Sequence, residues 1–108
     1  MGDVADFAVA VDRLDDCVVV RVEGELDMAS ASELEDAVSR VSSTTPHVVI
    51  DLSSCTFLDS TGMRVITETM RQAPRVSVVA TDPGVLRVLE LTAVDTMVPV
   101  HASVADAL

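Results

Sequence analysis

Two adjacent hydroxyls, Ser60 and Thr61, stand between Asp59 and Gly62 in the stretch Val-Val-Ile-Asp-Leu-Ser-Ser-Cys-Thr-Phe-Leu-Asp-Ser-Thr-Gly over residues 48–62. Val48, Val49, Ile50 and Leu52 make the β-branched and aliphatic run of a strand covered on both faces. From Met63 the apolar period lengthens, with Met63, Ile66 and Met70 recurring at helical spacing. Asp59 to Gly62 therefore reads as a strand-to-helix turn whose first backbone N–H groups need oxygen acceptors. One hydroxyl can cap the helix while the other points outward. An outward hydroxyl suits phosphorylation, because free N–H groups and the positive end of the helix favour a phosphate. The alternative is that Ser60 or Thr61 only caps, a common use of both residue types. The chemistry on offer is a modification received by the protein rather than a reaction it performs.

Other chemistries find less support. All seven cations are Arg, so Schiff-base and lysine-base catalysis are excluded. His47 and His101 stand alone and far apart in the chain, and with no Cys-x-x-Cys spacing the sequence announces no metal site and no cofactor. Phe57-Leu58-Asp59 superficially begins the apolar-apolar-Asp-[Ser/Thr]-Gly signature of dimeric aspartic proteases. Two residues rather than one separate Asp59 from Gly62, however, and the motif enters a helix. Gly-x-Ser-x-Gly is missing as well, which removes the serine-hydrolase elbow. Asp51, inside the apolar run, reads as a structural acceptor near the end of the sheet, and Asp82 as a helix cap.

Composition narrows the partners. A chain of 108 residues provides one domain with one core. Hydrophobic residues make up 49%, yet only Phe7 and Phe57 are aromatic, so that core is aliphatic. The formal charge of −11 repels nucleic acid and anionic lipid alike. Eleven of the eighteen acids fall between Asp3 and Asp36, which serves solubility and could also steer a basic protein partner. Apolar stretches are broken by Arg21 or Ser77 well short of a bilayer span, and the cysteine usage and acidic start fit a reducing cytoplasm.

The elements that must position the hydroxyl pair follow from periodicity and punctuation. Phe7, Val9 and Val11 alternate with small or polar residues, and after Asp15-Asp16 the run Cys17 to Glu23 continues as strand, which predicts a hairpin. Gly24-Glu25-Leu26-Asp27 leaves that strand, and Ser30-Ala31-Ser32-Glu33 has capping-box spacing. The helix it opens carries Leu34, Ala37, Val38 and Val41 inward and is stopped by the stretch from Ser42 to Pro46. Cys55 falls in a loop. Ala73-Pro74 closes the second helix, and Arg75 to Ala80 forms the next strand, making a βαβ unit with strands three and four parallel. Asp82-Pro83 opens a third helix with Val85, Leu86 and Leu89 as its apolar face. Met97 to Val100 suits a fifth strand, and Ser103-Val104-Ala105-Asp106 a short last helix.

The order strand, strand, Gly-Glu-Leu-Asp, helix, Val-Val-Ile-Asp-Leu, then Phe-Leu-Asp-Ser-Thr-Gly opening a helix resembles the STAS domain family, and within it the single-domain anti-sigma factor antagonists. The resemblance runs from about Phe7 to the last helix. It implies an α/β fold with a central mixed sheet of four to five strands and about four helices, mainly packed on one face. It also implies a non-enzymatic switch. The hydroxyl residue before the glycine, here Thr61, would be phosphorylated by a partner that is both anti-sigma factor and serine kinase. The unphosphorylated form would bind that partner and free the sigma factor, the phosphorylated form would release it, and a phosphatase would reset it. On this resemblance Asp27, Asp59, Ser60, Thr61 and Gly62 belong to the partner-binding surface of a monomer or weak dimer; Arg64, on the exposed side of the second helix, either joins that surface or is a solvated helix residue. Three departures from the family pattern stand out: Thr61 where Ser is commoner, a short stretch from Met70 to Val76, and Ala93 where Gly is common. A rival reading within the same fold is a non-catalytic scaffold or sensor module in a stress-signalling assembly.

Overall fold

The computed structural model describes residues 7–42 and 44–108. Asp3 and Asp6, part of the acidic first third, lie outside the described residues. The strands are β1 (Phe7–Arg13), β2 (Cys17–Leu26), β3 (His47–Leu58), β4 (Arg75–Val79) and β5 (Val100–His101). The helices are α1 (Ala31–Ser42), α2 (Ser60–Gln72), α3 (Pro83–Leu91) and α4 (Val104–Ala107), with a 3-10 turn at Val94–Thr96. The strands lie side by side in chain order, β1 antiparallel to β2 and every later pair parallel. The expected mixed sheet is present, and both β2-α1-β3 and β3-α2-β4 are βαβ crossovers.

Strand alternation divides the core between two faces. Val18, Val20, Val22, Val48, Ile50, Leu52 and Val78 point to the face covered by α1, α2 and α3. The expected α1 stripe of Leu34, Ala37, Val38 and Val41 is buried there, as are Met63 and Ile66 of α2 and Val85 and Leu89 of α3. The opposite face is thin, holding Cys17, Val19, Val49 and Val79 under Ala107 and Val104 of α4. Three helices on one side and one short helix on the other explain why the first half of β3, His47 to Leu52, is buried at every position.

Several boundaries differ from the sequence expectation, each for a local reason. Gly24 to Leu26 does not leave β2. The strand continues through two register shifts, with Gly24 at φ 99°, a conformation suited to a residue without Cβ, because β3 supplies a ladder out to Leu58. Cys55 accordingly lies inside β3 rather than in a loop, its buried thiol donating to the Phe57 carbonyl at 3.1 Å. The start of α1 is as expected, but the capping box does not form. Ser30 Oγ turns back, donating to the Glu25 carbonyl (2.7 Å) and accepting from the Asp27 N–H (3.0 Å). In α3, Leu86 is exposed and Val88 packs partly inward instead. The fifth strand begins at Val100 rather than Met97, because the amides of Met97 and Val98 both donate to the Val94 carbonyl and Pro99 has no N–H to offer.

Asp51 is the structural acceptor expected: buried, it accepts from the Ser53 N–H at 2.9 Å and lies 4.0 Å from Arg21, which pairs with Asp12. His47 is also buried on the thin face, where Nε2 shares a 2.8 Å hydrogen bond with the buried Ser77 hydroxyl.

Two tests follow from these placements. Burial, followed by the nearby Arg75 and His101, holds the His47 imidazole below its ordinary value of 6.5. The unfolded chain therefore binds that proton more readily, and the side chain's contribution to stability is complete above pH 6.5 and is lost as pH falls from there through the folded pKa. Denaturant melts at pH 7.5 and 5 should show a smaller acid loss for His47→Gln, which keeps a partner for Ser77, than for wild type; equal losses would remove this assignment. Ala93, after α3, sits at φ 62°. A Cβ there costs about 1–2 kcal/mol, so Ala93→Gly should raise unfolding free energy by about 1 kcal/mol in the same assay, and an unchanged midpoint would mean the strain is relieved elsewhere.

Candidate functional site

The site is built where β2 and β3 hand over to their helices. Leu26 and Leu58 are register partners on the parallel pair, and the Asp59 N–H donates to the Leu26 carbonyl at 3.3 Å. The next residue on each strand is an acid, so Asp27 and Asp59 leave the sheet at neighbouring exits. Asp27 Oδ1 accepts from the N–H groups of Ala29 (3.0 Å) and Ser30 (3.3 Å) and stiffens the turn into α1. Asp59, with extended φ and ψ of −113° and −173°, is the N-cap of α2. Its Oδ1 accepts from the N–H groups of Thr61 (2.9 Å) and Gly62 (3.1 Å).

That cap corrects the expectation that Ser60 or Thr61 supplies it. A carboxylate one residue earlier does the work, which places the hydroxyls of both residues outside the cap. Ser60 is exposed and Thr61 half-buried at the first two positions of α2. The cap also changes the basis for phosphate binding at this point, because the amides of Thr61 and Gly62 are taken by Asp59, and Met63 N–H donates to the Asp59 carbonyl.

Gly62 is buried for a steric reason. A Cβ built on it would lie 2.7 Å from Leu26 Cγ, 2.7 Å from Leu58 Cδ1 and 3.0 Å from the Leu26 carbonyl oxygen. The first turn of α2 thus rests directly on the paired ends of β2 and β3, and this contact sets the direction in which Thr61 leaves the helix. Arg64 is exposed one turn on. Asp27, Asp59, Ser60, Thr61, Gly62 and Arg64 therefore belong to one corner of the molecule, at the carboxyl ends of the parallel strands.

Sequence reasoning passed over two side chains beside this corner. Met28 is 80% exposed and Phe57 47% exposed, immediately after Asp27 and two residues before Asp59. Phe57, one of only two aromatics in the chain, opens the motif in the sequence, where nothing but its rarity hints at an exposed position. Among the described residues no three His, Cys, Asp or Glu side chains group to hold a metal, and no helix is long and apolar enough to cross a membrane.

A mixed sheet with an aspartate-capped strand-to-helix exit that precedes two hydroxyls and a glycine is the arrangement of one family of α/β domains. The model of the STAS domain family matches residues 8–107, and the chain belongs to that family. It is 32% identical over 94 residues to the anti-sigma-F factor antagonist RsfB of Mycobacterium tuberculosis, spanning 83% of this chain and 77% of that one. The crystal structure of an anti-sigma factor antagonist from Mycobacterium paratuberculosis superposes with a TM-score of 0.89 at 34% identity, covering 94% of this chain and 90% of that chain. The anti-sigma factor antagonist SpoIIAA in its unphosphorylated form shares the fold, with a TM-score of 0.79 at 20% identity over 93% of this chain and 92% of that chain.

The Gly62 contact is directly testable. Ala is the better helix former by about 0.8–1 kcal/mol, but overpacking against well-packed neighbours costs about 1–3 kcal/mol, and here one of the crowded atoms is a backbone carbonyl. Gly62→Ala should therefore lower unfolding free energy by about 1 kcal/mol or more; a stabilised variant would show that α2 can lift from the strand ends without cost.

Proposed function

We propose that this protein is a cytoplasmic anti-sigma factor antagonist that works by partner switching through Thr61. The observation that carries the reading is the Asp59 cap, which leaves the Thr61 hydroxyl uncommitted at a rigid helix start, in a chain whose relatives include named anti-sigma factor antagonists. Unphosphorylated, the corner formed by Asp27, Asp59, Ser60, Thr61, Gly62 and Arg64 docks on an anti-sigma factor that is also a serine kinase, and the sigma factor is freed. The kinase transfers the γ-phosphoryl group of ATP to Thr61 Oγ1. A P–O ester bond forms, the bond to the ADP leaving group breaks, and the hydroxyl proton passes to a base on the kinase. Hydrolysis by a phosphatase returns the hydroxyl and inorganic phosphate.

Electrostatics at a helix start favours a switch in binding rather than in fold. A phosphate adds about −1.5 to −2 charges, which the positive end of a helix tolerates, so α2 persists. At the docking face the same charge joins Asp27 and Asp59, repels an acidic rim and crowds a complementary surface. The exposed Met28 and Phe57 give the face apolar contact area beside the acids, a combination that suits a partner with an apolar pocket and a basic border.

Incubation with ATP and each candidate anti-sigma kinase of the same genome, followed by intact-mass and site-mapping mass spectrometry, should add one phosphate at Thr61. Thr61→Ala should then hold the kinase without release, and Thr61→Glu should bind it at least ten-fold more weakly, about 1.4 kcal/mol. Equal binding by both variants, or no modification by any active kinase, would overturn the switch in favour of an unphosphorylated scaffold.

A further inference from the structure

We infer that Arg64 is the internal counter-ion of Thr61 once that residue is phosphorylated, an inference that rests on the proposed modification of Thr61. The cap leaves a phosphate on Thr61 with few backbone donors, since Asp59 already accepts from the amides of Thr61 and Gly62 and its carbonyl from Met63. The acids at this corner, Asp27 from the end of β2 and Asp59 from the end of β3, add repulsion. A positive side chain must therefore supply the compensation. Arg64 lies three residues after Thr61 in α2, a spacing that places the two side chains on one helix face with Cβ atoms about 5–6 Å apart. It is exposed, and among the described residues no carboxylate lies within salt-bridge distance of it. Its natural partner at i+4, Glu68, is engaged by Arg71 at 3.3 Å. No other cation occurs in residues 22–39 or 52–70, the stretches that build the corner. A guanidinium held in reserve beside a phosphorylatable hydroxyl can form paired, charge-assisted hydrogen bonds to phosphate oxygens.

The consequence is a double change at the docking face. Phosphorylation adds a dianion and at the same time withdraws the one cation of the corner from the partner. The face passes from one with a free guanidinium to one on which that guanidinium is tied to the phosphate and no longer available to a partner's acids.

The test uses full-length protein carrying phosphothreonine at position 61 by genetic encoding, so no kinase is needed. The probe is the second ionisation of the phosphate, followed by phosphorus NMR during a pH titration. Arg64→Gln should raise that pKa by about half a unit relative to wild type, Arg64→Lys should restore part of the difference, and 1 M salt should shrink it. Arg71→Gln, two turns on and paired elsewhere, should leave the value unchanged. Wild type and Arg64→Gln titrating together, or Arg71→Gln shifting as far as Arg64→Gln, would overturn the inference. Failure of every kinase to modify Thr61 would instead overturn the functional reading, and the NMR result would stand apart from it.

Discussion

The contact on which the site depends is the rest of Gly62 against Leu26 and Leu58. Parallel pairing brings those leucines side by side, the Asp59 N–H ties the end of β3 to the end of β2, and the missing Cβ lets α2 settle onto both. From this one approach follow the position of the Asp59 carboxylate over the first amides of α2, the placement of Ser60 and Thr61 at its first two positions, and the proximity of Asp27 from the neighbouring exit. A helix start held by packing below and a carboxylate above is a rigid platform. That suits the proposed modification of Thr61, which changes the surface and leaves the fold in place.

The same device recurs across the sheet. After each of β2, β3 and β4 an aspartate accepts from backbone amides on the way into the following helix: Asp27 from Ala29 and Ser30 in the turn before α1, Asp59 from Thr61 and Gly62 of α2, and Asp82 from Gly84 and Val85 of α3. Acids at these places contribute to helix starts, so part of the chain's large negative charge is structural rather than only a solubility device. Only at the middle exit does the cap precede two hydroxyls and a glycine, which distinguishes this helix start from the other two.

Much of this was legible in the sequence where a single local signal governed the outcome. The stripe Leu34, Ala37, Val38 and Val41 had one helical reading, and Asp82-Pro83 could open only a helix. Val48 to Leu52 required cover on both faces, and the membership of the STAS family carried by Gly-Glu-Leu-Asp and Asp-Ser-Thr-Gly agrees with the matched family model. What was not legible depended on tertiary partners. Gly24 looks like a strand terminator until β3 offers it a ladder; Ser30 looks like a cap until the Glu25 carbonyl comes within reach. Asp59 outcompetes the two hydroxyls because an extended residue one step earlier places its carboxylate over two amides at once, a geometry that residue types alone do not reveal. Leu86 and Met97 were misplaced because apolar residues outnumber the interior positions available to them in so small a domain.

The order of the strands in space is also their order in the chain, from β1 at one edge to β5 at the other. No strand has to be threaded between two that are already paired. The amino-terminal hairpin can close first, and each later strand joins an open edge as it becomes available, with its crossover helix following it onto the sheet. Such a domain can be assembled progressively while it is still emerging from the ribosome, and the corner where β2 meets β3 takes shape before the carboxy-terminal third exists.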